Sequence, residues 1–212
     1  NTVAFNRIFD IGKGVMSDMG GVYTLGASFG TCVSNNVIVN VRSHDGVAGW
    51  GLYTDEGSEG IVVRNNLVYD TKCESFHQHF GRDNVISNNV FAFSVEPCAA
   101  IAITRSEPHR SIVFANNIAC FDFPVAVRTG DGTKADWQGN CWWNPSEKPF
   151  KMLNRLDFAA WQKLGRDTTG CVSDPKFRDL CRRDFTLADD SPTLKCGFRP
   201  FDVSRAGRAS GK

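Results

Sequence analysis

Five short segments, each alternating apolar and polar residues and ending in asparagine, constrain this chain more than any other feature. They read TVAFN at 2–6, CVSNN at 32–36, VVRNN at 62–66, VISNN at 85–89 and VFANN at 113–117. Their last asparagines, Asn6, Asn36, Asn66, Asn89 and Asn117, follow one another at steps of 30, 30, 23 and 28 residues. An apolar residue follows four of them directly: Val37, Leu67, Val90 and Ile118. Self-similarity at such a period is the mark of a solenoid, with insertions on one face absorbing the variation in step.

Between the asparagine strands lies a second recurring strand. It reads GVYTL at 21–25, GLYTD at 51–55, SFHQH at 75–79, AIAIT at 100–104 and PVAVR at 124–128. Short, β-branched, Gly-bounded runs favour strand over helix. Stacked coils lie about 4.8 Å apart, so identical amides at one coil position can hydrogen-bond up the column as an asparagine ladder. Asparagine also tolerates the left-handed bend of a coil corner. Simple hairpins fit less well, because a hairpin turn favours Asn-Gly and every asparagine here leads into another apolar strand.

The fold class that follows is all-β, a right-handed parallel β-helix of about five coils over residues 1–130. From about residue 131 the period is lost, and Trp137, Trp142, Trp143, Phe158 and Trp161 gather in a less regular stretch. Residues 131–212 are therefore expected to be a capping segment of the same domain, packing aromatics over the last coil. A short helix is expected at 157–164, with Asp157 as N-cap and Gly165 just past its end.

Charge excludes some partners. Lys and Arg number 24 against 23 Asp and Glu, a net charge of +1, which gives no electrostatic reason to expect nucleic acid or an anionic membrane. No apolar run approaches the roughly 20 residues of a membrane helix, and no signal peptide is expected within these residues. The chain opens on Asn1 inside a strand-like pattern, so the coils are expected to be N-terminally incomplete. Eight cysteines are many for a cytosolic enzyme and point to a secreted, extracellular or periplasmic location. Cys141, Cys171, Cys181 and Cys196 crowd the last third, as disulfide staples or as buried free thiols.

Aligning the second strands puts Val22, Leu52 and Phe76 in one inward column. Alternation then turns Tyr23, Tyr53 and His77 outward, followed on the same face by Leu25, Asp55 and His79. Asp18 lies on the corner feeding the first of these strands, and Glu56 and Glu59 follow Asp55. Aromatic faces beside carboxylates suit a sugar groove, with Trp50, Tyr23, Tyr53, His77 and His79 as candidate substrate-binding residues. Glycoside cleavage needs two carboxyls, about 5–5.5 Å apart for retention or about 6.5–9.5 Å for inversion. Asp18 and Asp55 are the candidate catalytic pair, with Glu56 as the fallback partner.

Blander readings compete with each of these. Acids in coil corners often stay solvated or cap turns, and tyrosines on an outer face can simply pack under a loop. His77 and His79 could share a metal, but no third ligand is evident, so no metal and no cofactor are expected. His44 and His109 sit in polar loops. No Gly-x-Ser-x-Gly or Cys/His signature supports a nucleophilic Ser or Cys. The corner glycines do not lead into a helix that would hold phosphate.

The stretches SDMGGVYTLG at 17–26, GWGLYTDEGS at 49–58 and SFHQHFGRDNVISNNVFAF at 75–93 resemble secreted pectin-lyase-like parallel β-helix proteins. Within that superfamily they are most similar to glycoside hydrolase family 141. NCWWN at 140–144, WQKLGRD at 161–167, DPKF at 174–177 and DFTLADDSPTLKCGFRPFD at 184–202 extend the likeness over nearly the whole chain. The resemblance implies a retaining glycosidase acting on plant cell-wall glycans, with α-L-fucosidase and xylanase activities both represented in the family. It implies a catalytic pair of aspartates, carried by motif onto Asp18 of SDMGG and Asp55 of TDEGS. Family members are usually longer, and Cys73 and Cys98 fall close to the expected groove.

Two further functions fit the same scaffold. A polysaccharide lyase would need a basic residue, for which Arg82 and Arg105 are the candidates, and calcium, for which no acidic cluster is evident. A non-catalytic carbohydrate-binding or adhesin-like solenoid would bind glycan without turnover. In each case the partner is a poly- or oligosaccharide, and the chain is expected to act as a monomer.

Overall fold

The computed structural model describes residues 1–44, 49–96, 98–130, 132–153 and 156–208. The chain winds as a parallel β-solenoid with three stacked sheets. Six strands form the first: Thr2–Ala4, Cys32–Ser34, Val62–Arg64, Asn84–Ser87, Arg110–Ala115 and Lys134–Gln138. Seven form the second: Arg7–Ile11, Val37–Val41, Leu67–Thr71, Val90–Ser94, Ile118–Cys120, Cys141–Trp143 and Cys171–Val172. Five form the third: Gly20–Thr24, Trp50–Thr54, Phe76–Gln78, Ile101–Ile103 and Val127–Thr129. Every pairing within these stacks is parallel, as successive coils of one winding require.

The coils run further than the sequence pattern suggests. Lys134–Gln138 and Cys141–Trp143 fall inside the stretch expected to be a cap, yet they build a sixth coil on Arg110–Ala115 and Ile118–Cys120. The reason lies in the corner. QGNCWW has glycine where earlier coils have the first of two asparagines, so its likeness to them is hidden.

The asparagine pairs divide two tasks between them. The first member takes the left-handed bend: Asn35, Asn65, Asn88 and Asn116 have φ of 54–57°, and Gly139 does the same at 65°. The second member points inward and forms the ladder. Nδ2 of Asn6, Asn36, Asn66, Asn89 and Asn117 donates to Oδ1 of the next coil's asparagine at 2.9–3.1 Å. Backbone N–H groups of the same residues donate to the same oxygens. The column continues beyond the five asparagines read from sequence, through Asn140 to Asp167. Asp167 accepts from Asn140 N at 3.0 Å and Nδ2 at 3.2 Å on one oxygen, and from Trp142 Nε1 at 2.7 Å on the other. An aspartate suits this end because both its oxygens accept, whereas an asparagine offers one acceptor.

Inside the winding, Ile38, Val63, Val68, Ile86, Ile101, Ile103 and Ile112 are fully or almost fully buried. Phe76, Phe91 and Phe114 meet there with ring centroids 5.9–6.3 Å apart. The expected helix forms at Phe158–Lys163, with the Asp157 side chain accepting from Ala160 N and Gly165 at φ 76° past its end. It plants Trp161 against Trp137, 5.3 Å between centroids, to cover the last coil. Deleting a buried tryptophan of this kind costs about 3–5 kcal/mol.

The rest of the tail does not stay at that end. The antiparallel pair Phe177–Asp179 and Asp184–Leu187 lies on the outer face of the seven-stranded sheet. There Phe177, Phe185 and Leu187 pack over Leu67, Val90, Ile118 and Cys141. Arg183 pairs with both oxygens of Asp70 and lies over the Phe93 ring. The chain then crosses the left-handed corners back toward the first coil. Arg199 exchanges hydrogen bonds with Asn88, Asn35 donates to Asp202 O, and Gly207 N donates to Phe5 O.

Candidate functional site

The outer face of the five-stranded sheet carries the polar cluster. Register confirms the expected columns: Val22, Leu52 and Phe76 pair in line, as do Tyr23, Tyr53 and His77. The outward column continues through Ala102 to Arg128. Close approach of the strands beneath is required, and Gly51 permits it. A Cβ there would lie 2.1 Å from Val68 Cγ1 and 2.5 Å from Ser75 O.

Asp55 is the hub of the cluster. It is 6 % exposed, and among the described residues neither Lys nor Arg pairs with it. Tyr23 Oη donates to its Oδ2, and His79 Nδ1 lies 3.1 Å from its Oδ1. Burial on its own would raise the Asp55 pKa. Hydrogen bonds from Tyr23, Tyr53, the Glu56 backbone and His79 outweigh that and hold it below the ordinary carboxylate value. The tyrosines respond in the opposite sense. Tyr23 is pushed up to about 12, chiefly by its hydrogen bond to Asp55. Tyr53 is raised by burial first and by Asp55 second. Asp55 is thus a desolvated carboxylate fixed in its ionised form.

Asp18 stands ahead of Gly20–Thr24, exposed, with φ 50°. Its charge contributes to raising both Tyr23 and Tyr53, which sets it beside the same cluster. It does not occupy the coil position of Asp55. Tyr23 pairs with Tyr53 and Thr24 with Thr54, so the residue opposite Asp55 is Leu25. Glu56 is exposed, with Oε1 3.9 Å from His79 Nδ1.

The candidate aromatic residues fall into two layers. Tyr23 and His79 reach the surface, with side chains partly open to solvent. Trp50, Tyr53 and His77 are buried beneath them. His77 stacks on Trp50 at 4.1 Å and 26°, and Tyr53 packs against both. These three support the surface layer and are not themselves open faces. Burial pulls the His77 pKa down to about 3, with the Arg128 and His79 charges adding to it. Neutral His77 has Nε2 3.3 Å from Thr104 Oγ1, while its buried Nδ1 has no hydrogen-bond partner among the described residues.

Glu74 and Arg128 belong to the same face and were not singled out by the sequence pattern. Glu74 is fully buried and accepts from Trp50 Nε1 at 2.8 Å and from Arg128 Nη2 at 2.7 Å and Nε at 3.1 Å. The one available signal was register, since Glu74 precedes Phe76 by the same two residues that separate Trp50 from Leu52. Cys73, Glu74 and Cys98 bring potential metal-ligand atoms within 4.8 Å of one another. The Glu74 oxygens in that group also accept from Trp50 and Arg128. The candidate lyase bases lie to one side. Arg82 faces Glu59 and His109, and Arg105 faces Glu107 and stacks on Phe80.

Comparison of the chain with protein-family models, curated proteins and solved structures found no match.

Proposed function

We propose that this face is the active site of a retaining glycoside hydrolase acting on plant cell-wall-type glycans, α-L-fucoside or xylan linkages. The observation that carries the reading is the state of Asp55, a nearly buried carboxylate kept ionised by hydrogen bonds from two tyrosine hydroxyls, a backbone amide and His79. A nucleophile at an anomeric carbon needs that combination, charge without a tight cation to quench it. Asp55 attacks the anomeric carbon as the glycosidic oxygen leaves with a proton from Asp18. Asp18 then takes a proton from water, which releases the sugar and restores Asp55. Glu56 is the second choice for the proton-transfer role. Tyr23 and His79 orient Asp55 and border the bound sugar. Trp50, Tyr53 and His77 hold that surface in place. The sugar class and the secreted or periplasmic location rest on the sequence resemblance, and the substrate is the only partner invoked.

The experiment uses 4-nitrophenyl α-L-fucoside and 4-nitrophenyl xyloside with Asp55→Gly. Turnover should disappear, and azide should restore nitrophenol release with a glycosyl azide of inverted configuration. Unchanged turnover in Asp55→Gly sinks the assignment. One observation favours a second reading: both Asp55 oxygens are engaged within the protein. On that reading the face binds glycan without cleaving it. Retention on immobilised xylan or fucosylated glycan, with no reducing sugar released by the native chain, identifies it.

A further inference from the structure

We infer that Cys171 and Cys196 form a disulfide that fastens the returning tail to the last strand of the solenoid. Cys171 lies on the seventh strand of its sheet, Cys171–Val172. Cys196 follows the short 3-10 turn Pro192–Leu194, where the tail arrives at the ladder corner. Their sulfurs are 3.1 Å apart although the residues are 25 apart in sequence. Forming a bond of about 2.05 Å closes that gap by roughly 1 Å, within side-chain adjustment.

The surroundings fix both partners. Gly139 stands where a Cβ would come within 2.3 Å of Cys196 O, so the tail is pressed onto the corner. The neighbouring cluster of Val90, Ile118, Cys141, Phe198, Phe177 and Phe201 is apolar and suits an uncharged bridge. Cys141 is the competing partner, directly opposite Cys171 on the neighbouring strand. Its sulfur donates to Ser173 O at 3.3 Å and also meets the Cys171 thiol, so Cys141→Ser is the variant that separates the two pairings.

The chemistry is thiol–disulfide exchange with an oxidised small-molecule disulfide. Two S–H bonds break, one S–S bond forms, and two electrons and two protons pass to the oxidant, which leaves as two thiols. Burial raises the Cys196 thiol to about 12, and the hydrogen bond with Cys141, then burial, raises Cys171, so few thiolates exist once the tail has docked. The bridge is therefore made while the tail is still open and is shielded afterwards. Its effect is on the strap. Beyond Cys196 the chain holds Asn88, Asn35 and Phe5 in turn, and the bridge anchors the start of that run.

The test is a non-reduced tryptic map of the full chain after exposure to oxidised glutathione. Cleavage after Lys and Arg places Cys141, Cys171 and Cys196 on three separate peptides, 135–151, 167–176 and 196–205. The expected result is 167–176 linked to 196–205, with 135–151 alkylated. It should persist in Cys141→Ser. Reduction, or Cys196→Ser, should lower Tm by about 5–10 °C. A 135–151 to 167–176 link, or alkylation of all three in the oxidised protein, overturns the inference.

Discussion

Two columns of aligned polar residues run across these coils, and they are built on opposite principles. At the ladder corner one residue type repeats, every amide meets its like in the next coil, and the column ends on an acceptor-only aspartate. On the outer face of the five-stranded sheet the column reads Tyr23, Tyr53, His77, Ala102, Arg128, and no two neighbours beyond the tyrosines are alike. A solenoid stabilises itself by repetition, because each coil offers the next the same partner. Breaking the repetition forfeits that, so a heterogeneous column that borders ionised Asp55 and carries a buried His77 Nδ1 with no partner among the described residues needs another reason to exist. The contrast yields a rule for this chain: like on like is scaffold, and unlike on unlike is where the proposed chemistry lies.

The largest expected effect tests the second half of that rule. Asp55→Asn should reduce glycosidase turnover by about a thousandfold or more, roughly 4 kcal/mol of transition-state stabilisation. The far-ultraviolet circular dichroism should stay that of the native coil. The reverse pattern is expected of Asn66→Ala in the ladder. Asn66 Nδ2 donates to Asn89 Oδ1, Val33 O and Arg64 O, and its Oδ1 receives Asn36 N and Nδ2, all buried or nearly so. Its loss strands several of these groups and should cost about 3–4 kcal/mol in urea unfolding. At temperatures where that variant is folded, turnover should be near native. If Asn66→Ala damages turnover while leaving stability alone, the division of labour between the columns fails.

His77 should give the next effect, through pH. Burial lowers its pKa to about 3 in the folded chain, against about 6.5 when unfolded. Between those values the unfolded chain binds more protons, so acid favours unfolding and stability rises with pH. Going from about pH 7.5 to about pH 5 should cost roughly 2 kcal/mol through this one residue. Above about pH 7.5 both states are neutral and the contribution is flat. In His77→Gln that slope should vanish from urea midpoints measured across the range. An unchanged slope assigns the acid sensitivity elsewhere.

How much of this could be read in the sequence follows from the same contrast. The ladder was legible because Asn36, Asn66, Asn89 and Asn117 repeat a word at a fixed phase. It was lost at Asn140, where Gly139 replaces the first asparagine, and at Asp167, which is a different residue serving the same acceptor role. Alternation correctly turned Tyr23, Tyr53 and His77 outward, but it cannot tell what lies over an outer face, so the burial of Tyr53 and His77 was invisible. Glu74 and Arg128 are 54 residues apart and share no motif, and only the register of three coils brings them together. The return of the tail along Asn88, Asn35 and Phe5 had no periodic signal at all. Pattern reports what repeats, and the candidate chemistry is what does not.

A smaller effect is expected where the ladder ends. Asp167→Asn keeps an acceptor for Asn140 but must turn its new amino group toward Trp142 Nε1, leaving donor against donor. That mismatch should cost about 1–2 kcal/mol. The carboxylate it removes was itself strained by burial, which raises the Asp167 pKa and offsets part of the loss.

Least of all should come from a third column, aligned but exposed. Arg110 bridges Asp83 at 2.8 Å and Asp136 at 2.9 Å on the outer face of the six-stranded sheet, across three successive coils. On paper it is a better ion-pair network than anything at the ladder. All three side chains are nonetheless about half open to water, where Coulomb attraction is weak and salt screens it. Arg110→Ala should therefore cost less than about 1 kcal/mol, and the difference from native should shrink further in 1 M sodium chloride. Should Arg110→Ala prove costlier than Asp167→Asn, burial is not what ranks these columns, and alignment alone carries more of the stability than the ladder implies.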